Sequence, residues 1–415
     1  MFEICLFDLD DTLIRTEDLK VVRENCKHNC DEGNIKGVLD SLKDGNDRHI
    51  YSPELLQKIR LRFPYLRIGI FTRSPRSYAE AVLKWAYPSF IWDILVAYED
   101  VQHTKPHGEG IKIAMSKFEV KNLDHVMMVG DSAVDIRSAY NCGCLVTLDK
   151  GAWPPGNWSS NHWAALSLIP DAIISKPEQL IDVLNDPIPF LPELERKLSG
   201  NTPARCGNRF DKINHFIAKD AGGDNTAYPI HVSGRSFANY ESIRSRKVRH
   251  ELTKSIEENK NSNTFPEAWI ETVREFISEH TEFAHSVNVV VSVVPYRPGR
   301  GPRLECFLEQ LEQSIKKSPI DNRHVSVAPQ LLAYKDGVKS QHNDYLDRIN
   351  RFINVRDHLY VKQPERVNSA TSFLIIDDVT TTGASLIYAY KYLKDSGAAD
   401  VKCLSMAKNI SDVLQ

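Results

Sequence analysis

Phe7-Asp8-Leu9-Asp10-Asp11-Thr12-Leu13 stands directly behind the apolar run Ile4–Phe7, near the start of a chain of 415 residues. A short apolar run closed by acids reads as a buried strand, with its carboxylates in the loop at the strand's carboxyl end. Asp8 and Asp10, two positions apart, can both reach one Mg2+ ion and one phosphate. One carboxylate can attack phosphorus while a second gives and then takes back a proton. Taken alone, the same stretch also reads as a solvated acidic turn.

Three further stretches shift that balance. Phe71-Thr72-Arg73-Ser74 follows a strand expected at Ile68–Phe71, so a hydroxyl and backbone donors can hold a phosphate there. Thr104-Lys105-Pro106 follows the strand near Leu95, and Lys105 offers a point positive charge for phosphoryl oxygens. Val129-Gly130-Asp131-Ser132-Ala133-Val134-Asp135 follows Val126–Val129 and supplies carboxylates that can anchor a hard cation through oxygen. Further strands are expected at Ile94–Ala97, Leu145–Thr147 and Ala172–Ile174, with helical patterns such as Ser77–Trp85 and Asp135–Asn141 between them. This alternation predicts a doubly wound parallel sheet whose site lies at the carboxyl ends of the strands.

In this order, the four stretches resemble the haloacid dehalogenase-like (HAD) phosphatase superfamily over residues 1–185. The resemblance implies that Asp8 is the nucleophile of an aspartyl-phosphate and Asp10 the general acid/base. Thr72 and Lys105 then bind phosphate, Asp8, Asp10 and Asp131 hold Mg2+, and Asp135 supports the loop. The acid at position 10 favours phosphoryl chemistry, because dehalogenase members generally lack it. Between Arg15 and His49 there is room for a small cap only.

A second stretch carries different chemistry. Phe373-Leu374-Ile375-Ile376 runs into Asp377-Asp378-Val379-Thr380-Thr381-Thr382-Gly383-Ala384-Ser385. Adjacent carboxylates after a strand can accept hydrogen bonds from two vicinal ribose hydroxyls. The hydroxyl-rich loop Thr380–Ser385 leads into a helix near Leu386, and its backbone N–H groups make a phosphate nest. A generic strand–turn–helix capped by Thr and Ser accounts poorly for two acids, four hydroxyl residues and a Gly in one turn.

This stretch is similar to the phosphoribosyl pyrophosphate (PRPP) motif of type I phosphoribosyltransferases. Val293-Val294-Pro295-Tyr296-Arg297 ends a strand where that fold places its pyrophosphate loop. Lys339-Ser340-Gln341 and Arg351-Phe352-Ile353-Asn354 resemble the KxQ and RxxN stretch of ComF-type proteins. The likeness covers residues 288–408; residues 205–287 fit a variable hood. It implies that Asp377 and Asp378 hold the ribose and that Thr380, Thr381, Thr382, Gly383, Ala384 and Ser385 hold the 5′-phosphate. Arg297 and Lys339 join the PRPP site. The cysteine-based zinc module that often opens ComF proteins is absent before residue 205.

The whole chain is thus expected to be α/β, with two doubly wound parallel-sheet domains. The boundaries are 1–185, a proline-rich linker at 186–204, and 205–415. Fifty-two basic and 55 acidic residues leave a net charge of −3, which gives no case for a nucleic-acid surface. No apolar run reaches the ~20 residues of a membrane span and no signal peptide is visible. Eight scattered cysteines make no disulfide framework and point to a reducing cytoplasm. Cys26 and Cys30 lack the second pair of a zinc site and are expected to be structural. Trp153, Trp158 and Trp163 are expected to cover the edge of the first core or pack at the domain interface rather than stack a base, and RSRKVR at 244–249 to be a solvated helix face.

The leading expectation is a bifunctional enzyme of nucleotide-like metabolism. Its C-terminal half transfers a phosphoribosyl group from PRPP and its N-terminal half removes a phosphate with Mg2+. The alternative is a phosphatase gated by a C-terminal domain that senses PRPP or a nucleotide without turnover.

Overall fold

A computed structural model describes residues 1–28, 32–43, 47–156, 158–200, 207–339 and 346–414. Cys30, Ser340 and Gln341 lie outside the described residues. The chain divides into two compact units. The first comprises Met1–Phe190, Ala238–Arg249 and the stretch from Ser411; the second comprises Leu191–Phe237 and His250–Ile410.

The first unit is built on six strands: β1 (Ile4–Phe7), β2 (Arg67–Phe71), β3 (Ile94–Val96), β4 (Val126–Gly130), β5 (Leu145–Asp149) and β6 (Ala172–Ile174). They pair in parallel in the order β3-β2-β1-β4-β5-β6. Every residue of β1 and β4 is buried. That is the pattern of central strands covered on both faces, and it is why they read as unbroken apolar runs. The winding direction reverses between β1 and β4, where loops diverge and leave a crevice at the carboxyl ends. Between β1 and β2 stand two short helices, Lys20–His28 and Glu32–Leu42, followed by Pro53–Arg62, whose N-terminus is capped by Ser52. Leu19, Cys26, Val38 and Leu42 tie this segment to the core.

The charged stretch Arg244–Glu258 forms two helices. Its first turn, Arg244–Lys247, belongs to the first unit. A new helix, Glu251–Glu258, starts in the second unit, where the His250 ring accepts from the Thr253 N–H at 3.2 Å. The solvated face expected at 244–249 is also corrected. Arg246 is buried and donates to the Asp171 carboxylate, while Arg249 pairs with Asp124 at 2.5 Å.

In the second unit the strands are β7 (Asp211–Phe216), β8 (Ala227–Val232), β9 (Arg235–Phe237), β10 (Asn288–Val293), β11 (His324–Val327), β12 (Leu332–Tyr334), β13 (Leu359–Val361), β14 (Ser372–Thr380) and β15 (Asp400–Ile410). The main sheet runs β11-β10-β14-β15-β8-β7, with β9 also on β15 and a separate β12–β13 pair. It is mixed rather than purely parallel, because β7 runs antiparallel to β8. The departure falls within 205–287, where no strand was legible in the sequence. β10 pairs with β14 from Val289↔Ser372 to Val293↔Ile376, so Val294 and Asp377 emerge together at one end of the sheet.

Helix Glu193–Leu198, in the proline-rich stretch, belongs to the second unit and is largely buried. Its Glu195 receives Arg235 through bonds of 3.0 and 2.6 Å, with His250 Nε2 3.1 Å away. Burial pushes the Glu195 carboxyl up, yet Arg235 and His250 together hold it well below the usual range. Among the described residues, no helix is long and apolar enough to cross a membrane.

Glu195→Ala removes the carboxylate that receives the buried Arg235 twice and is expected to destabilise the second unit by about 3–5 kcal/mol. Hydrogen-exchange mass spectrometry should then show lost protection in β8 and β9. Unchanged protection there contradicts the pair's structural role.

Candidate active site

Because β1, β3 and β4 are parallel, the loops behind them open at the same end of the sheet, and Lys105 joins them. Its Nζ donates to Asp8 Oδ1 and to Asp135 Oδ1, each at 2.6 Å, with the whole side chain buried. Asp135 is also held by the Ser132 hydroxyl at 2.5 Å and the Ser132 N–H at 3.2 Å, at the start of helix Ala133–Cys142. Asp131 Oδ1 accepts from the Thr12 hydroxyl at 3.1 Å, and its backbone oxygen accepts from Trp153 Nε1 at 3.1 Å.

Burial raises the Asp8 carboxyl to about 7, with Asp135 and Asp10 adding to the rise and Lys105 opposing it. Burial, then the Asp135, Asp8 and Asp11 carboxylates, push Asp131 well above its usual range. Crowded acids of this kind are stabilised in their charged form by a cation. Asp8, Asp131 and Asp135 each place an oxygen within 4.8 Å of the others. An all-oxygen donor set suits a hard cation such as Mg2+. Asp135 is already occupied by Lys105 and Ser132, which leaves Asp8 and Asp131 as the freer donors.

Asp10, expected to join the metal set, lies outside that trio. Its Oδ1 accepts from Thr16 at 2.7 Å, from Tyr78 at 2.8 Å and faces Arg23 Nη1 at 3.1 Å. Its Oδ2 accepts from Ser74 at 2.5 Å. Asp8, Asp10, Thr72, Lys105 and Asp131 nevertheless line one cavity of about 400 Å3. Thr72 is buried, and its hydroxyl accepts from the Ser74 N–H at 3.1 Å. Helix Lys20–His28 also lines it, through Lys20, Arg23 and Lys27, which share one face at helical spacing.

In the second unit, β14 continues through Asp377 and Asp378 to Thr380, beyond the Ile376 end expected from sequence, because it keeps pairing with β15. Asp378 forms an ion pair with Arg303. Burial raises the Asp377 carboxyl to about 7 against the pull of Arg303 and Arg297. Gly383, at φ 76°, closes the loop before helix Ala384–Asp395. A Cβ there would stand 2.9 Å from Ile230 and 3.0 Å from the His215 ring, so only glycine fits. Lys408 Nζ donates to the Thr381 carbonyl at 2.5 Å, and burial with nearby Arg348 lowers its ammonium to about 8. Ser385 Oγ accepts from Tyr334 at 3.3 Å, and Arg297 lies 5.8 Å over the Tyr334 ring. Lys339 is exposed, but its backbone is clamped by Asn354 through bonds of 2.9 and 3.1 Å.

Sequence reasoning did not find Arg23, Ser74 and Tyr78 around Asp10, nor Lys408, Arg348 and His215 beside the Gly383 loop. No spacing rule reaches them, since they are brought in by distant elements. Trp153 is buried and supports the Asp131 loop, in keeping with a structural role.

Residues 52–148 match the family model of haloacid dehalogenase-like hydrolases. The chain is 25% identical over 225 residues to pyrophosphatase PpaX of Bacillus cereus, an alignment covering 46% of this chain and 97% of that protein. A structure described as a haloacid dehalogenase-like hydrolase from Bacteroides fragilis is 22% identical, with TM-score 0.32, covering 43% of this chain and 100% of that one. HAD-hydrolase YfnB of Bacillus subtilis, solved bound to magnesium, is 16% identical with TM-score 0.30, covering 44% and 99%. The N-terminal part of the chain carries a HAD-like phosphatase domain.

Lys105→Met removes the charge shared by Asp8 and Asp135. It is expected to cut Mg2+-dependent hydrolysis of p-nitrophenyl phosphate by about 10²-fold or more. Turnover near wild type contradicts this role for Lys105.

Proposed function

We propose that the chain is a bifunctional enzyme, coupling Mg2+-dependent phosphomonoester hydrolysis in its first unit to phosphoribosyl transfer in its second. The observation that carries the first half is the convergence of Asp8, Asp10, Thr72, Lys105 and Asp131 on one cavity. Asp8 attacks phosphorus and forms an aspartyl-phosphate while the leaving-group oxygen takes a proton from Asp10. Water then attacks the same phosphorus, its proton returns to Asp10, and inorganic phosphate leaves with Asp8 restored. Lys105 and Thr72 hold phosphoryl oxygens. Asp8 and Asp131 would hold Mg2+, which when bound neutralises phosphoryl charge. Hydrogen bonds from Thr16, Ser74 and Tyr78, with Arg23 beside them, hold the Asp10 carboxyl in place for that proton transfer.

For the second half, Asp377 and Asp378 accept from the ribose hydroxyls of PRPP, displacing Arg303 from Asp378. The backbone of Thr380–Ser385 and the start of helix Ala384–Asp395 cradle the 5′-phosphate. Lys408 and Arg348 add positive charge beside that loop, and Arg297 and Lys339 serve the pyrophosphate. The product of one unit, a 5′-phosphoribosyl compound, is a phosphomonoester of the class the other unit hydrolyses.

Asp8→Asn is expected to lower phosphatase turnover at least about 10²-fold with PRPP binding intact. Residual turnover well above that level contradicts nucleophilic Asp8. Asp377→Asn with Asp378→Asn is expected to weaken PRPP binding about tenfold or more per residue, as lost charge-assisted bonds do. Calorimetry finding unchanged affinity in the folded double mutant removes the ribose assignment. Binding of PRPP without pyrophosphate release across a broad acceptor panel selects the sensor in place of the transferase.

A further inference from the structure

Beside the pyrophosphate-loop stretch, the second unit has a cleft of about 580 Å3 between the start of helix Arg303–Lys317 and the β12–β13 pair. It is distinct from the Asp377–Ser385 surface, none of whose residues lines it. Its size lies within the roughly 300–1,000 Å3 of small-molecule sites. Glu305 lines this cleft and is only 8% exposed. Its Oε1 accepts from the Tyr296 N–H at 3.2 Å, whereas its buried Oε2 has no hydrogen-bond partner among the described residues. A buried carboxylate oxygen left unpaired is costly, and a ligand donor relieves that cost.

The surroundings define the donor. Glu309 lies one helical turn beyond Glu305 and lines the same cleft, adding negative charge. Tyr296, Tyr334 and Tyr360 also line it, and aromatic side chains attract cations. Lys362, on the rim, turns its ammonium to Gln330 Oε1 at 3.2 Å. One buried carboxylate among aromatic rings is too few oxygens for a metal ion, but suits an ammonium on an apolar body.

We propose that this cleft binds a small organic cation, an amine whose ammonium pairs with the Glu305 carboxylate while its apolar part packs on the tyrosines. Pro295 and Tyr296 belong to the pyrophosphate-loop stretch and Tyr334 donates to Ser385, so the cleft adjoins the proposed phosphoribosyl site, but amine binding does not require that the second unit transfer or sense a phosphoribosyl group.

The test titrates the full-length chain with 2-phenylethylamine and with its neutral isostere 2-phenylethanol, followed by ligand-observed NMR. The amine should bind at least about tenfold more tightly than the alcohol, the scale of one charge-assisted hydrogen bond. Glu305→Gln should abolish the preference, and Tyr360→Ala should weaken the amine while retaining it. Equal binding of amine and alcohol by the wild type, or a preference that survives Glu305→Gln, overturns the proposal. PRPP calorimetry on the same samples reports separately on the phosphoribosyl reading.

Discussion

The first unit depends on one buried ammonium. Lys105 sits between Asp8 and Asp135 at 2.6 Å from each, and without it these acids and Asp131 would be forced together in a low-dielectric pocket. Isolated charges are not tolerated there, and a paired set survives only with close geometry and further hydrogen bonds. Ser132 and Thr12 supply those bonds, and the sheet supplies the geometry. With β1 flanked by β2 and β4, the three loops that bring Asp8, Thr72 and Asp131 converge at one end. Lys105 reaches in from the loop beyond β3.

The second unit applies the same economy to the opposite charge. Its Gly383 loop has the Lys408 ammonium at one flank, held to the Thr381 carbonyl, with Arg348 near enough to depress it. His215, packed on Gly383, is lowered to about 3 by burial and then by Lys408 and Arg348. Burial, reinforced by the neighbouring cations, keeps the ring neutral and lowers the ammonium.

Much of this was legible in the sequence where strands are central. Ile4–Phe7 and Val126–Val129 are apolar without interruption because both faces are covered, and the acids behind them mark the strand ends. The Asp377-Asp378 stretch was legible too, though its strand runs four residues further than the apolar pattern. The second sheet's antiparallel edge was not legible, because β7 is partly exposed and carries Asp, Lys, Asn and His between its apolar residues, while β8 is interrupted by Pro229 and His231. Nor was the break at Arg244–Glu258, whose charge pattern continues across two units while the packing does not. The partners of Asp10 were hidden for a related reason. Arg23, Ser74 and Tyr78 come from separate elements, and only tertiary structure brings them to one carboxylate.

The central claim is covalent catalysis by Asp8, and borohydride trapping tests it most directly. Full-length protein turning over a phosphomonoester with Mg2+ is quenched into borohydride and mapped by mass spectrometry. An aspartyl-phosphate is reduced to the alcohol at its own position, so the account predicts conversion at residue 8, dependent on substrate and absent from Asp8→Asn. Reduction at another carboxylate, or none anywhere while turnover continues, would contradict it.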